Sequence, residues 1–187
     1  MKNIIVILGV SAVFSSACNT SDTTNEKSTT TASSENTNRQ ESSTASANQV
    51  ITAYLHIKNA LASDNGKDAA MGGKDLMEAL EKIDTVSATD AQKKMYREGA
   101  EEMKSHAEHI NENSEKIDHQ RDHFSMLSEY MLDWFTVYGT GQTLYKDYCP
   151  MFNDGKGAAW VSELKEIKNP YYGKEMLSCG EVKEELK

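Results

Sequence analysis

Between residues 48 and 141 the chain contains no proline, and apolar side chains recur there every three or four positions in four successive stretches. That period lines one face of a helix, and each such face must find a partner to leave water. The first stretch carries Val50, Ile51, Tyr54, Leu55, Lys58 and Leu61 and stops at Asp64-Asn65-Gly66. The second carries Ala69, Gly72 or Gly73, Leu76, Leu80 and Ile83, its adjacent glycines either weakening a helix or marking a close helix contact. Ser87-Ala88-Thr89-Asp90 can cap a third, with Met95, Gly99, Met103, His106 and Ile110 on one side. The fourth has Ile117, Phe124, Leu127, Met131, Trp134 or Phe135, and Tyr138, and ends at Gly139-Thr140-Gly141. Short connections favour antiparallel neighbours, so the expected fold class is all-α: an antiparallel four-helix bundle followed by an irregular Cys/Met-containing C-terminal loop segment.

Residues 142–187 hold both prolines, two of the three cysteines and no long periodic stripe. A bundle does not need this segment to close its core, which makes it the expected seat of function. Cys149-Pro150-Met151 and Met176-Leu177-Ser178-Cys179 supply two thiols and two thioethers. These are soft, polarizable donors that select Cu(I) and similar ions over Mg or Ca. Gly155, Gly157, Asn169-Pro170 and Gly173 allow the fold-back that would gather the four sulfurs, and Trp160 with Tyr171-Tyr172 could shield them. A structural Cys149–Cys179 disulfide explains the same cysteines, at about 3–4 kcal/mol of stabilisation in the chain-entropy account. The methionines also suit ordinary core filling. In that alternative the domain is a periplasmic interaction module with Trp160, Tyr171 and Tyr172 exposed toward a partner protein.

Histidines give a second, weaker pattern. His106 and His109 stand three apart on the third helix, and His119 and His123 stand four apart on the fourth. A turn near Asn113 puts residue 106 roughly opposite 120, so the four share one end of the bundle. Such a group could hold Cu(II), Zn or Ni. Solvated histidines and a satisfied core His106 are the plain alternative.

The N-terminus reads as an export signal. Lys2 precedes the apolar run Ile4 to Phe14, and Ser15-Ser16-Ala17-Cys18 follows. That ending resembles a bacterial lipobox, with Ser15 in place of the commoner Leu, so Cys18 is the expected lipidation site and residues 1–18 the signal peptide. Ordinary cleavage leaving a free thiol is the rival. Residues 19–47 are rich in Ser, Thr and Asn, and cannot bury enough surface to offset ordering entropy. They are expected to form a disordered tether, placing a domain of residues 48–187 about 30 Å from its anchor. Expected localisation is therefore the periplasm or cell surface, with membrane contact through the lipid anchor only.

The formal charge of −9, with no basic cluster, excludes a phosphate-neutralising stripe and hence a nucleic-acid partner. There is no nucleophile elbow, phosphate loop or HExxH pair, and acidic pairs such as Glu101-Glu102 sit on charged helical faces. Nothing calls for an enzyme.

Gln120-Arg121-x-x-Phe124-x-x-Leu127-Ser128, Tyr148-Cys149-Pro150-Met151, Gly157-Ala158-x-Trp160-x-Ser162, Glu166-Ile167-x-Asn169-Pro170-Tyr171-Tyr172-Gly173 and Met176-x-x-Cys179-Gly180, taken together, resemble the bacterial family called domain of unknown function 3347. The resemblance runs from about residue 48 to the end. It implies an exported helical domain, a type that stands alone or forms the C-terminal part of periplasmic adaptors of copper- and silver-type efflux pumps. That company implies metal handling and carries over Cys149, Met151, Met176 and Cys179 as motif positions, but not the histidines. The expected function is a non-enzymatic lipoprotein that binds copper(I) or silver(I) through those four residues, for sequestration or delivery to an efflux adaptor protein. The histidines would be an auxiliary Cu(II) site or an entry point.

Overall fold

The computed structural model describes residues 32–187, with side chains from residue 45 onward. The expected signal peptide with Cys18, and the expected tether up to residue 31, lie outside the described residues. Four long helices follow: α1 (Ala32–Ala62), α2 (Gly66–Glu81), α3 (Asp90–Glu112) and α4 (Ile117–Tyr138). Helical backbone thus begins inside the stretch expected to be a tether. Among the residues with described side chains, Ala47 is the first that is buried. No described helix is long and apolar enough to cross a membrane.

The helix ends have local causes. Asp64 adopts a left-handed conformation (φ 59°) after α1, and the Asn65 side chain accepts from the Asp68 N–H to start α2. Thr89 and Gln92 form a reciprocal capping box at α3. Gly139, at φ 78°, closes α4.

Cross-helix contacts run in opposite senses along successive helices, so neighbours are antiparallel. The Tyr96 hydroxyl donates to the Leu80 carbonyl at 3.1 Å, and Asn111 donates to Ala70 at 2.8 Å. The Tyr54 and Ser128 hydroxyls share a hydrogen bond of 2.8 Å between α1 and α4. The paired glycines prove to be close-contact positions: a Cβ at Gly72 would lie 2.8 Å from the Ile57 side chain, and one at Gly73 2.6 Å from the Ala107 carbonyl oxygen.

The C-terminal part corrects the all-α expectation. It folds as β1 (Leu144–Cys149), a one-turn helix α5 (Phe152–Gly155), β2 (Ala158–Ser162), a 3₁₀ turn (Gly173–Glu175) and β3 (Glu181–Leu186). The strands make an antiparallel sheet in the order β2-β1-β3. The protein is therefore mostly helical with a small sheet, and residues 142–187 are not an irregular loop. Nor is the segment dispensable to the core, because Leu144, Cys149, Trp160, Val161 and Tyr171 are buried in the same cluster as the helix faces. Trp160 is fully buried and Tyr171 2 % exposed, so neither is the partner-facing side chain that the interaction-module alternative required.

Candidate metal centres

Sheet register brings the two cysteines together. Cys149 ends the central strand, paired with Ala158 of β2. On its other side Tyr148 pairs with Glu181 of β3, so the residues just before β3, including Cys179, run back past the end of β1. Both thiols are free, Cys149 buried and Cys179 half-buried. Cys179 is hydrogen-bonded with Cys149, and its Sγ stands 3.8 Å from the Met151 Sδ. Three of the four expected sulfur residues thus meet. Met176 is linked through backbone, its carbonyl accepting from the Cys179 N–H at 3.0 Å.

The motif residues around these sulfurs have identifiable work. Buried Asn169 donates from Nδ2 to the Cys179 carbonyl at 2.7 Å and accepts from the Tyr171 N–H at 2.8 Å, which fixes the turn carrying Cys179. The Tyr172 hydroxyl donates to the Met151 carbonyl at 3.0 Å. Phe152 stacks on Tyr171 at 4.3 Å, and Trp160 meets Tyr171 edge-on at 5.7 Å, so one side of the site is an aromatic wall. Gly180, at φ 133°, admits the Tyr148 carbonyl where a Cβ would lie 2.9 Å away. Burial, then the neighbouring Cys149, pushes the Cys179 thiol up. Burial and both thiols likewise push up the Tyr172 phenol.

The histidines also converge. His109, His119 and His123 place one ligand nitrogen each within 4.8 Å of one another. His106 Nδ1 stands 3.1 Å from His123 Nδ1, and the His109 and His123 rings stack at 4.1 Å. The expected register slips by about one turn: His106 faces His123 rather than residue 120, while Gln120 donates to the Ile110 carbonyl at 2.8 Å. Burial first, then His109, His119 and His106, pushes His123 down to about 4. Burial likewise lowers His106, against Glu102 and Glu129 nearby. These shifts favour the uncharged form of both rings, which keeps a bare nitrogen.

The polar partners of Lys58 and the burial of Asp147 were not anticipated. Lys58, fully buried although it sits on the apolar face of α1, donates to Glu163 Oε2 at 2.8 Å and Ser162 Oγ at 3.3 Å. Within β1 the fully buried Asp147 has no hydrogen-bond partner on either carboxyl oxygen among the described residues, and burial pushes its pKa up to about 7 against the pull of Lys58. Asp147 gave no sequence signal, because a lone acidic residue among Tyr and Lys reads as surface.

The chain matches the family described as Protein of unknown function (DUF3347) over residues 50–143. That span takes in α1 from residue 50 and all of α2, α3 and α4, and it ends just before β1, so the sulfur motifs lie beyond it. Neither a curated protein nor a solved structure matches.

Proposed function

Because the chain belongs to the DUF3347 family, and its sulfur donors stand side by side as free thiols and a thioether, we propose that it is an exported, non-enzymatic binder of Cu(I) or Ag(I). The observation that carries this reading is the contact of Cys179 with both Cys149 and Met151, the latter at 3.8 Å between sulfurs. Two sulfurs each about 2.3 Å from one ion stand about 3.8 Å apart at a tetrahedral angle. Met176, one turn before Cys179, is the fourth donor in this proposal. Thiolates supply affinity and neutralise the cation, and thioethers hold it without charge, which suits release to an acceptor. Export and lipidation at Cys18 rest on the N-terminal sequence, and delivery to an efflux adaptor rests on the resemblance of the C-terminal motifs.

The test is titration of the reduced full chain with Cu(I) against a competing chelator, with Cys18 replaced by Ser so that only the proposed thiols report. One tightly held equivalent is expected. Stoichiometric binding that survives in the Cys149→Ser, Cys179→Ser double variant overturns the assignment. Quantitative resistance of both thiols to alkylation in protein isolated without reductant, relieved by reductant, would instead favour a structural disulfide and the interaction-module alternative.

A further inference from the structure

The sulfur residues leave a second donor group unused. α3 and α4 bring four of the chain's five histidines together, away from any thiol in the contacts they make. We propose that His109, His119 and His123, with His106 beside them, form a separate site for a borderline divalent cation of the Zn²⁺, Cu²⁺ or Ni²⁺ type.

Donor chemistry sets that class. Imidazole nitrogen suits Zn, Cu(II) and Ni, whereas Ca²⁺ and Mg²⁺ require oxygen ligands. Nitrogens about 2.0–2.1 Å from one ion stand about 3.4 Å apart at a tetrahedral angle. The candidate ligand atoms lie within 4.8 Å of one another, close to that spacing. His119 meets His109 edge-on at 5.7 Å between ring centroids and His123 at 4.5 Å, while His109 and His123 stand 4.1 Å apart, so the three centroids form a triangle instead of lying in a row. The fourth ring is positioned as ligand or as partner: a hydrogen bond between His106 Nδ1 and His123 Nδ1 lets one ring fix the tautomer of the other.

The support beneath the cluster is rigid. Gln120, fully buried between His119 and Arg121, donates from Nε2 to the Ile110 carbonyl at 2.8 Å and the Gly66 carbonyl at 2.9 Å, pinning the start of α4 to α3 and α2. Ile110 and Phe124, next to His109 and His123, are fully buried. The backbone that carries the ligands is therefore fixed by the core, while the rings stay half-buried or exposed and open to solvent. Packing does not require imidazoles at such positions.

The two donor sets sit on different sides of α4. His119 and His123 turn toward α3, while Arg121 reaches the Pro170 carbonyl at 3.0 Å and Phe124 meets Tyr171 at 5.9 Å in the sulfur-bearing part. The histidine site does not depend on the sulfur one, and the experiment separates them. The full chain with Cys18, Cys149 and Cys179 all replaced by Ser is titrated with Zn²⁺, and in parallel with Ni²⁺, against a chromophoric chelator. One equivalent of at least one ion is expected, with affinity reduced at least a hundredfold in a His109→Gln, His123→Gln variant and unchanged in His56→Gln, the histidine outside the cluster. Far-UV circular dichroism with chelator present verifies that each variant is folded, and loss of the metal-induced rise in melting temperature gives a second readout. Two results overturn the proposal: dissociation constants above about 100 μM for both ions, or equal affinity in the cluster variant and the His56 control.

Discussion

Arg121 on α4 donates to Asp64 Oδ1 at 2.6 Å, and the same guanidinium donates through Nε to the Pro170 carbonyl at 3.0 Å. One side chain thus joins the end of α1, the start of α4 and the C-terminal part. The Lys174 N–H closes the arrangement on Asp64 Oδ2 at 3.1 Å, and Gly173, at φ 53°, leaves the space that the Asp64 and Arg121 side chains occupy. Lysine at position 121 keeps the charge but loses the planar fork. Arg121→Lys is expected to destabilise the domain by about 1–2 kcal/mol in urea unfolding, because the buried hydrogen bond to the Pro170 carbonyl is lost, while the exposed Asp64 partner adds little. Burial pushes the Asp64 carboxyl up, but the Lys174 N–H and Arg121 outweigh it and hold the pKa below the ordinary value. This contribution is full at neutral pH and is lost as pH falls through the depressed value. The wild-type advantage over Arg121→Lys should therefore narrow in acid.

The sulfur donors should not be equivalent. A thiolate brings charge as well as a soft lone pair, while a thioether brings only the latter. Cys179→Ser is expected to weaken Cu(I) binding more than Met151→Leu, by at least a further tenfold, about 1.4 kcal/mol. Competition titration of the two variants at one pH measures the order directly. Equal losses would mean that Met151 and Cys179 contribute alike.

The four helices were legible because each has a long one-sided pattern and a clear stop. Thr89, within the stretch expected to cap the third helix, does so through a capping box with Gln92. The sheet was hidden for physical reasons that differ from strand to strand. In β1 a register shift between Lys146 and Asp147 breaks the alternation that would expose a strand, leaving Leu144, Asp147 and Cys149 as its inward positions. β3 is Glu181–Leu186, with all but its last residue exposed, so it carries no apolar face to detect. The sulfur residues were legible as a chemical type, but their meeting depends on β1 pairing with β3, a contact no local pattern encodes. The histidine cluster was legible from hairpin geometry, with the register off by about one turn.

Gly73 is a point of close approach between α2 and α3. A Cβ there would meet the Ala107 carbonyl oxygen at 2.6 Å and the Asn111 nitrogen at 3.1 Å, both backbone atoms that cannot swing aside. Alanine would ordinarily help an exposed helix interior by about 1 kcal/mol. Here overpacking reverses the sign, and Gly73→Ala should lower stability by about 1–3 kcal/mol. Thermal unfolding of the variant checks this. A rise in melting temperature would show that the helices part at no cost.

Asp147 links stability to pH in the opposite sense from Asp64. Its folded pKa, about 7, lies above the unfolded carboxylate value because burial disfavours the charged form, with Lys58 only partly offsetting this. The native state therefore holds the proton more tightly than the unfolded chain. Its contribution is fully present below the unfolded value and is lost as pH rises toward the folded one. Between roughly pH 4 and 7 the slope contributed by this one group is at most about 1.4 kcal/mol per pH unit. Asp147→Asn removes the titration while keeping the shape, so its stability should fall less steeply across that interval, and at pH 8 the variant should be the more stable protein. Urea midpoints at successive pH values provide the measurement. Parallel curves for the two proteins would mean that the carboxyl is ionised throughout, which the absence of any hydrogen-bond donor at either oxygen makes costly.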